Sequence, residues 1–229
     1  MKSLIPWGLV PALVIGVTAP GLASDNLSTV TQRVETATFV LSQFTADSSQ
    51  RIPPSIIRKG QGIAIVPGIV QAGFIFGGRR GAGILLVRND KGGWSRPAFI
   101  TVTGGSFGLQ IGAQSSDLVL VFNNKLVVTQ ALSQSFRLGG NVSVAAGPVG
   151  GDVVSPSDPS PSVFSYARNS GLFAGVSLEG ANLSFDSTSS NTFYGKNNLT
   201  PLQIFNNNPP LPSPPVLTGL YQALASAAR

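Results

Sequence analysis

Fourteen of the 27 glycines lie between Gly60 and Gly112, where they separate short apolar segments. Short apolar runs bounded by glycine are typical of strands joined by tight turns. Glycine also adopts the positive φ angles of turns and bulges, where a Cβ atom would clash. The pattern therefore predicts a tightly bent, mainly antiparallel sheet or a partly closed barrel. The expected strands are Ile63–Val66, Phe74–Phe76, Ile84–Val87, Phe99–Val102 and Asp117–Phe122, with further strands in Phe136–Gly147 and Leu172–Leu178. A hairpin turn is expected over residues 89–93.

Three helices are expected around this sheet, and after Asn124 the chain is expected to form either a turn or a brief helix that ends near Ser133. Apolar residues recur every three or four positions from Leu27 to Phe44, which predicts an amphipathic helix with Asp25 or Asn26 as its N-cap. This helix either covers the open side of the sheet or lies on a membrane surface. A short second helix is expected to end at Lys59, and a third to follow the proline-rich segment. The fold class is therefore α+β, a curled glycine-rich sheet covered by an N-terminal helix.

Positive charge is concentrated in the same part of the chain. The segment from Arg51 to Arg96 contains eight basic residues and one acidic residue, Asp90, and the whole chain has a formal net charge of +6. Such a one-sided distribution favours an anionic partner. The basic residues that we take as candidate ligands for such a partner are Arg58, Lys59, Arg79, Arg80, Arg88, Lys91 and Arg96.

The residue types that usually carry out catalysis or bind metals are scarce. The chain has neither cysteine nor histidine, so we expect no disulfide, no metal and no cofactor. The segment Gly104–Gly108 matches the G-x-S-x-G pattern of hydrolases, but that mechanism requires a histidine base. We therefore expect no enzymatic activity.

The N-terminal segment has the pattern of a secretory signal peptide. Lys2 precedes an apolar stretch from Leu4 to Val17, and small residues precede Ser24. We expect residues 1–23 to be the signal peptide, 24–200 the folded domain, and 201–229 a proline-rich linker with a C-terminal helix. The alternative for the leader is an uncleaved membrane anchor, because its apolar stretch approaches spanning length. The expected location is the periplasm or the cell exterior, peripheral to a membrane.

The order of motifs resembles the SYLF domain family across about Leu27 to Gly195. The segments that carry the resemblance are IPPSIIRKGQGIAIVP, AGFIFGGRRGAGILLVR, GGWSRPAFITVTGGSFGLQIGAQSSDLVLVF, FRLGGNVSVAAGPVG and SYARNSGLFAGVSLEGANL. The resemblance implies a module without catalytic activity that binds acidic phospholipids, with actin binding in some fungal members. It offers Arg58, Lys59 and the Arg79–Arg80 pair as contacts to the lipid headgroup.

We therefore expect an anionic phospholipid or membrane surface as the partner. Actin is not expected, because an exported chain would not meet cytosolic filaments. Nucleic acid is not expected either, although basic strands with nearby aromatic residues can form such a platform. The alternative is an envelope protein that binds another protein through its sheet or its proline-rich tail. For the Arg79–Arg80 segment two interpretations stay open, a solvated hairpin turn and a phosphate contact.

Overall fold

The computed structural model describes residues 26–47, 51–133, 136–139, 143–148, 161–169, 172–174 and 180–229. The proposed signal peptide lies outside these residues. The elements in chain order are α1 (Leu27–Ala46), α2 (Pro54–Lys59), β1 (Gly62–Val87), β2 (Ala98–Phe122), α3 (Lys125–Ser133), β3 (Phe136–Arg137), β4 (Val144–Ala146), β5 (Val163–Asn169), β6 (Leu172–Ala174), β7 (Asn182–Phe185), α4 (Ser187–Tyr194), α5 (Pro201–Asn206) and α6 (Val216–Ala227).

Helix α1 confirms the first expected helix and its cap. The Asn26 side chain accepts a hydrogen bond of 2.9 Å from the backbone N–H of Thr29, which satisfies one of the free donors of the first turn. The buried face of α1 is apolar and packs on β1 and α6. The helix therefore covers the sheet, as in the first of the two interpretations. Arg33 of α1 pairs with Asp186 at 3.4 Å, and both side chains are mostly buried.

Strands β1 and β2 correct the expectation of many short strands. They form one antiparallel hairpin whose strands have 26 and 25 residues, with register shifts after Val66 and Gly73. Three of the expected strands, from Ile63 to Val87, are parts of β1. Most of the glycines between them therefore lie inside strands instead of at turns.

Close backbone packing at Gly83 explains why these glycines belong in a strand. A Cβ atom built at Gly83 would collide with the carbonyl oxygen of Ile65, and one built at Gly81 would lie 2.7 Å from a methyl carbon of Val66. Strand β1 thus folds back on itself, and only a residue without a side chain allows this contact. This contact is the physical basis of the predicted curl.

The described residues contain a sheet of seven strands. Its order is β3-β7-β2-β5-β4, with β1 on β2 and β6 on β5. Only the β4–β5 pair is parallel among these strands. The predicted α+β class, with a curled, mainly antiparallel sheet under an N-terminal helix, is confirmed. Strand β5, which was not predicted, pairs with the apolar end of β2.

The C-terminal residues pack against the rest of the fold. Helix α6 places Leu217, Leu220 and Leu224 in the hydrophobic core, and it packs on α1. Helices α4 and α5 were not predicted. Within the described part of the chain no helix combines the length and hydrophobicity needed to cross a bilayer.

Candidate functional site

The turn between β1 and β2 is held in a fixed shape by Asn89. Its backbone N–H donates to Gly93 O at 2.9 Å, and its side-chain oxygen accepts from the N–H groups of Lys91 and Gly93 at 3.0 and 2.9 Å. Gly92 has a φ of 78°, a conformation that glycine adopts without strain. The predicted turn over residues 89–93 is therefore confirmed, and it fixes where the backbone of Lys91 lies.

Arg88 joins this turn to the end of α2. Its guanidinium donates to the carbonyl oxygens of Ile57, Gly60 and Gly92 at 3.0, 3.2 and 2.7 Å. It also stacks on the ring of Trp94, 3.9 Å from the ring centroid. Burial lowers the pKa of Arg88 from its ordinary value. These contacts give Arg88 a structural role, although its charge stays next to the turn.

Arg96 lies on the other side of the turn and is held by α5. Asn207 caps the C-terminus of α5 in a left-handed conformation. The side-chain oxygen of Asn207 accepts from Arg96 Nε at 2.7 Å and from the Leu211 N–H at 2.9 Å. This contact uses only Nε, so it does not occupy the two terminal nitrogens of Arg96. They make no hydrogen bond with any described residue.

A tyrosine from α6 closes this side of the site. The hydroxyl of Tyr221 donates to Ser95 O at 3.2 Å. Burial raises the pKa of Tyr221, and the positive charge of Arg96 partly offsets that rise. The hydroxyl thus stays protonated at neutral pH and adds no negative charge.

These elements enclose a cavity of about 480 Å³ that we call the loop cleft. Four basic side chains line it, and the single acid among its described lining residues is Asp90. Asp90 lies on the surface and pairs with Lys125 at 2.6 Å; this pairing lowers the pKa of Asp90. The cleft is therefore a positively charged cavity. The basic side chains are Arg88, Lys91, Arg96 and Lys125.

The structure brings together three of the seven candidate residues from the sequence, namely Arg88, Lys91 and Arg96. Arg58 and Lys59 are exposed at the end of α2, and Arg58 Nη1 donates to Ala228 O at 3.0 Å. Neither of them lines the loop cleft.

Arg79 and Arg80 lie farther from the cleft along β1. At 3.3 Å per residue they are about 25 to 30 Å from Arg88 along the strand. Arg79 is 8% exposed, and burial lowers its pKa, whereas Arg80 is exposed. The two arginines belong to a paired strand, not to a turn, because they are opposite Gly104 and Thr103 of β2.

Three residues of the cleft were missed by the sequence analysis. Lys125 is far from the basic segment in sequence, and Asn207 and Tyr221 belong to the C-terminal part that was interpreted as a linker and helix. A run of asparagines before prolines was the available signal for a helix cap at Asn207. Nothing in the local sequence indicates that Lys125 faces the β1–β2 turn.

The comparison with known sequences points to one family. A sequence model of the family described as Ysc84, Las17-binding protein actin regulator, matches residues 103–227. The chain is 39% identical over 175 residues to the SH3 domain-containing YSC84-like protein 1 of Xenopus laevis, which covers 72% of this chain and 51% of the frog protein. It is 35% identical over 198 residues to LAS seventeen-binding protein 3 of Saccharomyces cerevisiae, covering 84% of this chain and 42% of the yeast protein. The chain thus spans about half the length of these curated relatives.

Proposed function

Because this chain belongs to the Ysc84 family, whose domain is the SYLF domain, we propose that it binds acidic phospholipids at a membrane surface through its basic side chains. We propose that it does so without catalysing a reaction. The observation that carries the proposal is the loop cleft, where four basic side chains from two separate segments meet around one acid. Each basic residue near an anionic bilayer contributes about 1 kcal/mol, so a shared location makes their attraction additive.

The other basic residues have different parts in this proposal. Lys59 is exposed at the end of α2, and Arg88 connects α2 to the turn through Ile57 O. Lys59 therefore adds an exposed positive charge at the end of α2, the helix that Arg88 joins to the turn. Arg79 is mostly buried, which limits its contact with a headgroup.

Flotation with lipid vesicles tests the proposal. The protein is mixed with vesicles of phosphatidylcholine alone or with about 30% phosphatidylglycerol, at low and high salt. We expect recovery with the anionic vesicles only, and a loss of recovery as salt screens the charges. Equal recovery on both vesicles, independent of salt, would exclude the electrostatic mechanism.

A second candidate function is protein binding. The family description and the yeast relative's name refer to binding of Las17, and the description also names actin regulation. These names give no support to the prediction that actin is not a partner. In this chain Pro209, Pro210, Pro212 and Pro215 are exposed, while Leu211 is buried and anchors the segment. Exposed proline-rich segments bind to aromatic grooves of partner domains.

Crosslinking in cells separates the two candidates. A dominant protein adduct that persists when Lys91 and Arg96 are replaced by glutamine favours protein binding. Loss of that adduct on replacement of Pro210 and Pro212 by alanine would assign it to the proline-rich segment. Cell fractionation tests the proposed export to the periplasm or the cell exterior, for which the leader sequence is the support.

A further inference from the structure

We propose that the loop cleft binds one phosphate group, with Arg96 and Lys91 as its direct ligands. This inference rests on the proposed function, because it names the chemical group that the cleft would recognise in a headgroup. Within the described part of the chain, the terminal nitrogens of Arg96 and the ammonium group of Lys91 have no hydrogen-bond partner. Both groups are thus available to an anion.

The way Arg96 is held suits a tetrahedral oxyanion. A guanidinium binds two oxygens of a phosphate at once, and this geometry requires the planar group to be oriented. The 2.7 Å bond from Nε to Asn207 fixes that orientation before any ligand arrives. Because Asn207 is itself fixed as the cap of α5, binding would cost little ordering of Arg96.

The other charged side chains of the cleft favour the binding of a phosphate over the binding of a neutral ligand. Arg88 is held by three carbonyl groups, so it contributes its charge without moving. Lys125 pairs with Asp90, whose side chain is 95% exposed. A pair this exposed is weak, so Lys125 can turn from Asp90 to an anion at small cost.

The size of the cleft indicates a phosphate ester as the natural ligand. Small-molecule sites typically enclose about 300 to 1,000 Å³, and the cleft has about 480 Å³. A phosphate ion alone would leave much of this space unfilled. The cleft is also lined by polar side chains that can form hydrogen bonds with hydroxyl groups on the organic part of a phosphate ester. They are Asn89, Asn206 and Thr129.

Two sources could supply such an ester, a lipid headgroup or a soluble phosphate ester. Leu202 lines the cleft and is 56% exposed, and Leu126, next to Lys125, is 68% exposed. Exposed leucines beside a phosphate site would contact the interfacial region of a bilayer, whereas a soluble ester would make no use of them. The leucines therefore distinguish the two sources.

A titration with inorganic phosphate tests the site directly. In a Trp7→Phe background Trp94 is the single tryptophan, so its fluorescence reports on the cleft. We expect a saturable change at constant ionic strength that is weakened about tenfold in Arg96→Gln, because a charge-assisted contact is lost. Lys91→Gln, which removes no internal contact, should weaken it severalfold. The matched control Lys196→Gln removes one positive charge outside the cleft and should change binding less than twofold.

The result that would overturn the site is the absence of a saturable change, or equal weakening by Lys91→Gln and Lys196→Gln. Because Lys91 makes no side-chain bond to described residues, its variant tests the site even if Arg96→Gln fails to fold.

Vesicle binding by the same variants separates this inference from the proposed function. If anionic vesicles bind and the cleft variants lose no more than Lys196→Gln, the proposed function stands and the cleft site is wrong. If phosphate binds in the cleft but anionic vesicles do not, the site stands with a soluble ester as its ligand and the proposed function is wrong. If both bind, replacement of Leu126, which does not line the cleft, by serine should reduce vesicle binding and leave phosphate binding unchanged.

Discussion

Arg88 shows how a residue's sequence context can give its location but not its role. The sequence analysis took it as a candidate ligand for an anionic partner, because it lies in a segment where basic residues are concentrated. In the structure its donors bind three backbone carbonyls, and its flat surface stacks on Trp94. Arginine is suited to this position because its planar group can donate in several directions at once.

Replacing Arg88 by glutamine should therefore destabilise the fold. The change leaves the carbonyls of Ile57 and Gly60 without this donor, so we expect the free energy of unfolding to fall by about 2 kcal/mol. Urea denaturation measures this change. Lys91→Gln is the control, since it removes a charge from the same turn without breaking a side-chain bond, and should stay within about 0.5 kcal/mol of the native protein. A loss of equal size in both variants would show that the effect arises from charge alone.

The β1–β2 hairpin is the element on which the fold depends. Its two strands pair over nearly their whole length. At its open end the strands connect to α2 and α3, and at its other end the turn lines the loop cleft. The close contact between Gly83 and Ile65 allows β1 to fold back, so this contact sets the curl of the sheet. Helix α1 packs on this strand.

A methyl group at Gly83 should thus be poorly tolerated. Its Cβ atom would meet backbone atoms of Ile65 and Val66, which have no free rotation to relieve the clash. We expect Gly83→Ala to lower the free energy of unfolding by about 3 kcal/mol, the upper range of overpacking effects. Gly78→Ala in the same strand is the matched control, because no atom lies within 4 Å of its added Cβ. Similar stabilities for both variants in urea would contradict a strand that folds back at Gly83.

Helix α6 provides a second prediction about an element. Leu220 is 0% exposed and packs in the same core as α1, so Leu220→Ala should cost about 3 kcal/mol of unfolding free energy. Thr218 lies on the exposed side of α6, and Thr218→Ala should have little effect. Two separate thermal transitions, with only the smaller one changed by Leu220→Ala, would indicate that the C-terminal helix folds independently.

The whole molecule has an unusual set of titratable groups. It has no histidine, the residue type whose charge usually changes between about pH 5 and 8. All three tyrosines are buried or half-buried, and burial raises the pKa of Tyr166, Tyr194 and Tyr221. Tyr194 also donates to Pro97 O at 2.7 Å.

The stability of the protein should therefore fall on the alkaline side. Because the pKa of each tyrosine is higher in the folded protein, the folded state keeps protons that the unfolded state loses above about pH 10. We expect the free energy of unfolding to be nearly constant from about pH 6 to 9. Above about pH 10 each such tyrosine should lower it by about 1.4 kcal/mol per pH unit. Urea denaturation across this range, compared with Tyr194→Phe, measures the contribution; an unchanged slope in the variant would contradict it.

Local patterns in the sequence predicted helices α1, α2 and α6, the turn and the fold class. The spacing of Val30, Val34 and Leu41 gives α1 one apolar face. Pro53 and Pro54 lie where α2 begins, and Gly92 suits the turn. Each of these features depends on residues that are close together in the chain. The family resemblance, which rests on the same local motifs, is confirmed by the match over residues 103–227.

The sequence alone thus determined that α1, α2 and α6 are helical, where the β1–β2 turn lies and that positive charge gathers around it. Only the tertiary structure decided that the glycine-separated segments form two long strands, that Arg79 is mostly buried, and that Lys125 and Tyr221 join Arg96 in one cleft. The reason is physical: helix periodicity and turn preference act over a few residues. Strand pairing and charge convergence instead depend on contacts between residues far apart in the chain, such as Arg96 and Tyr221, which are 125 positions apart.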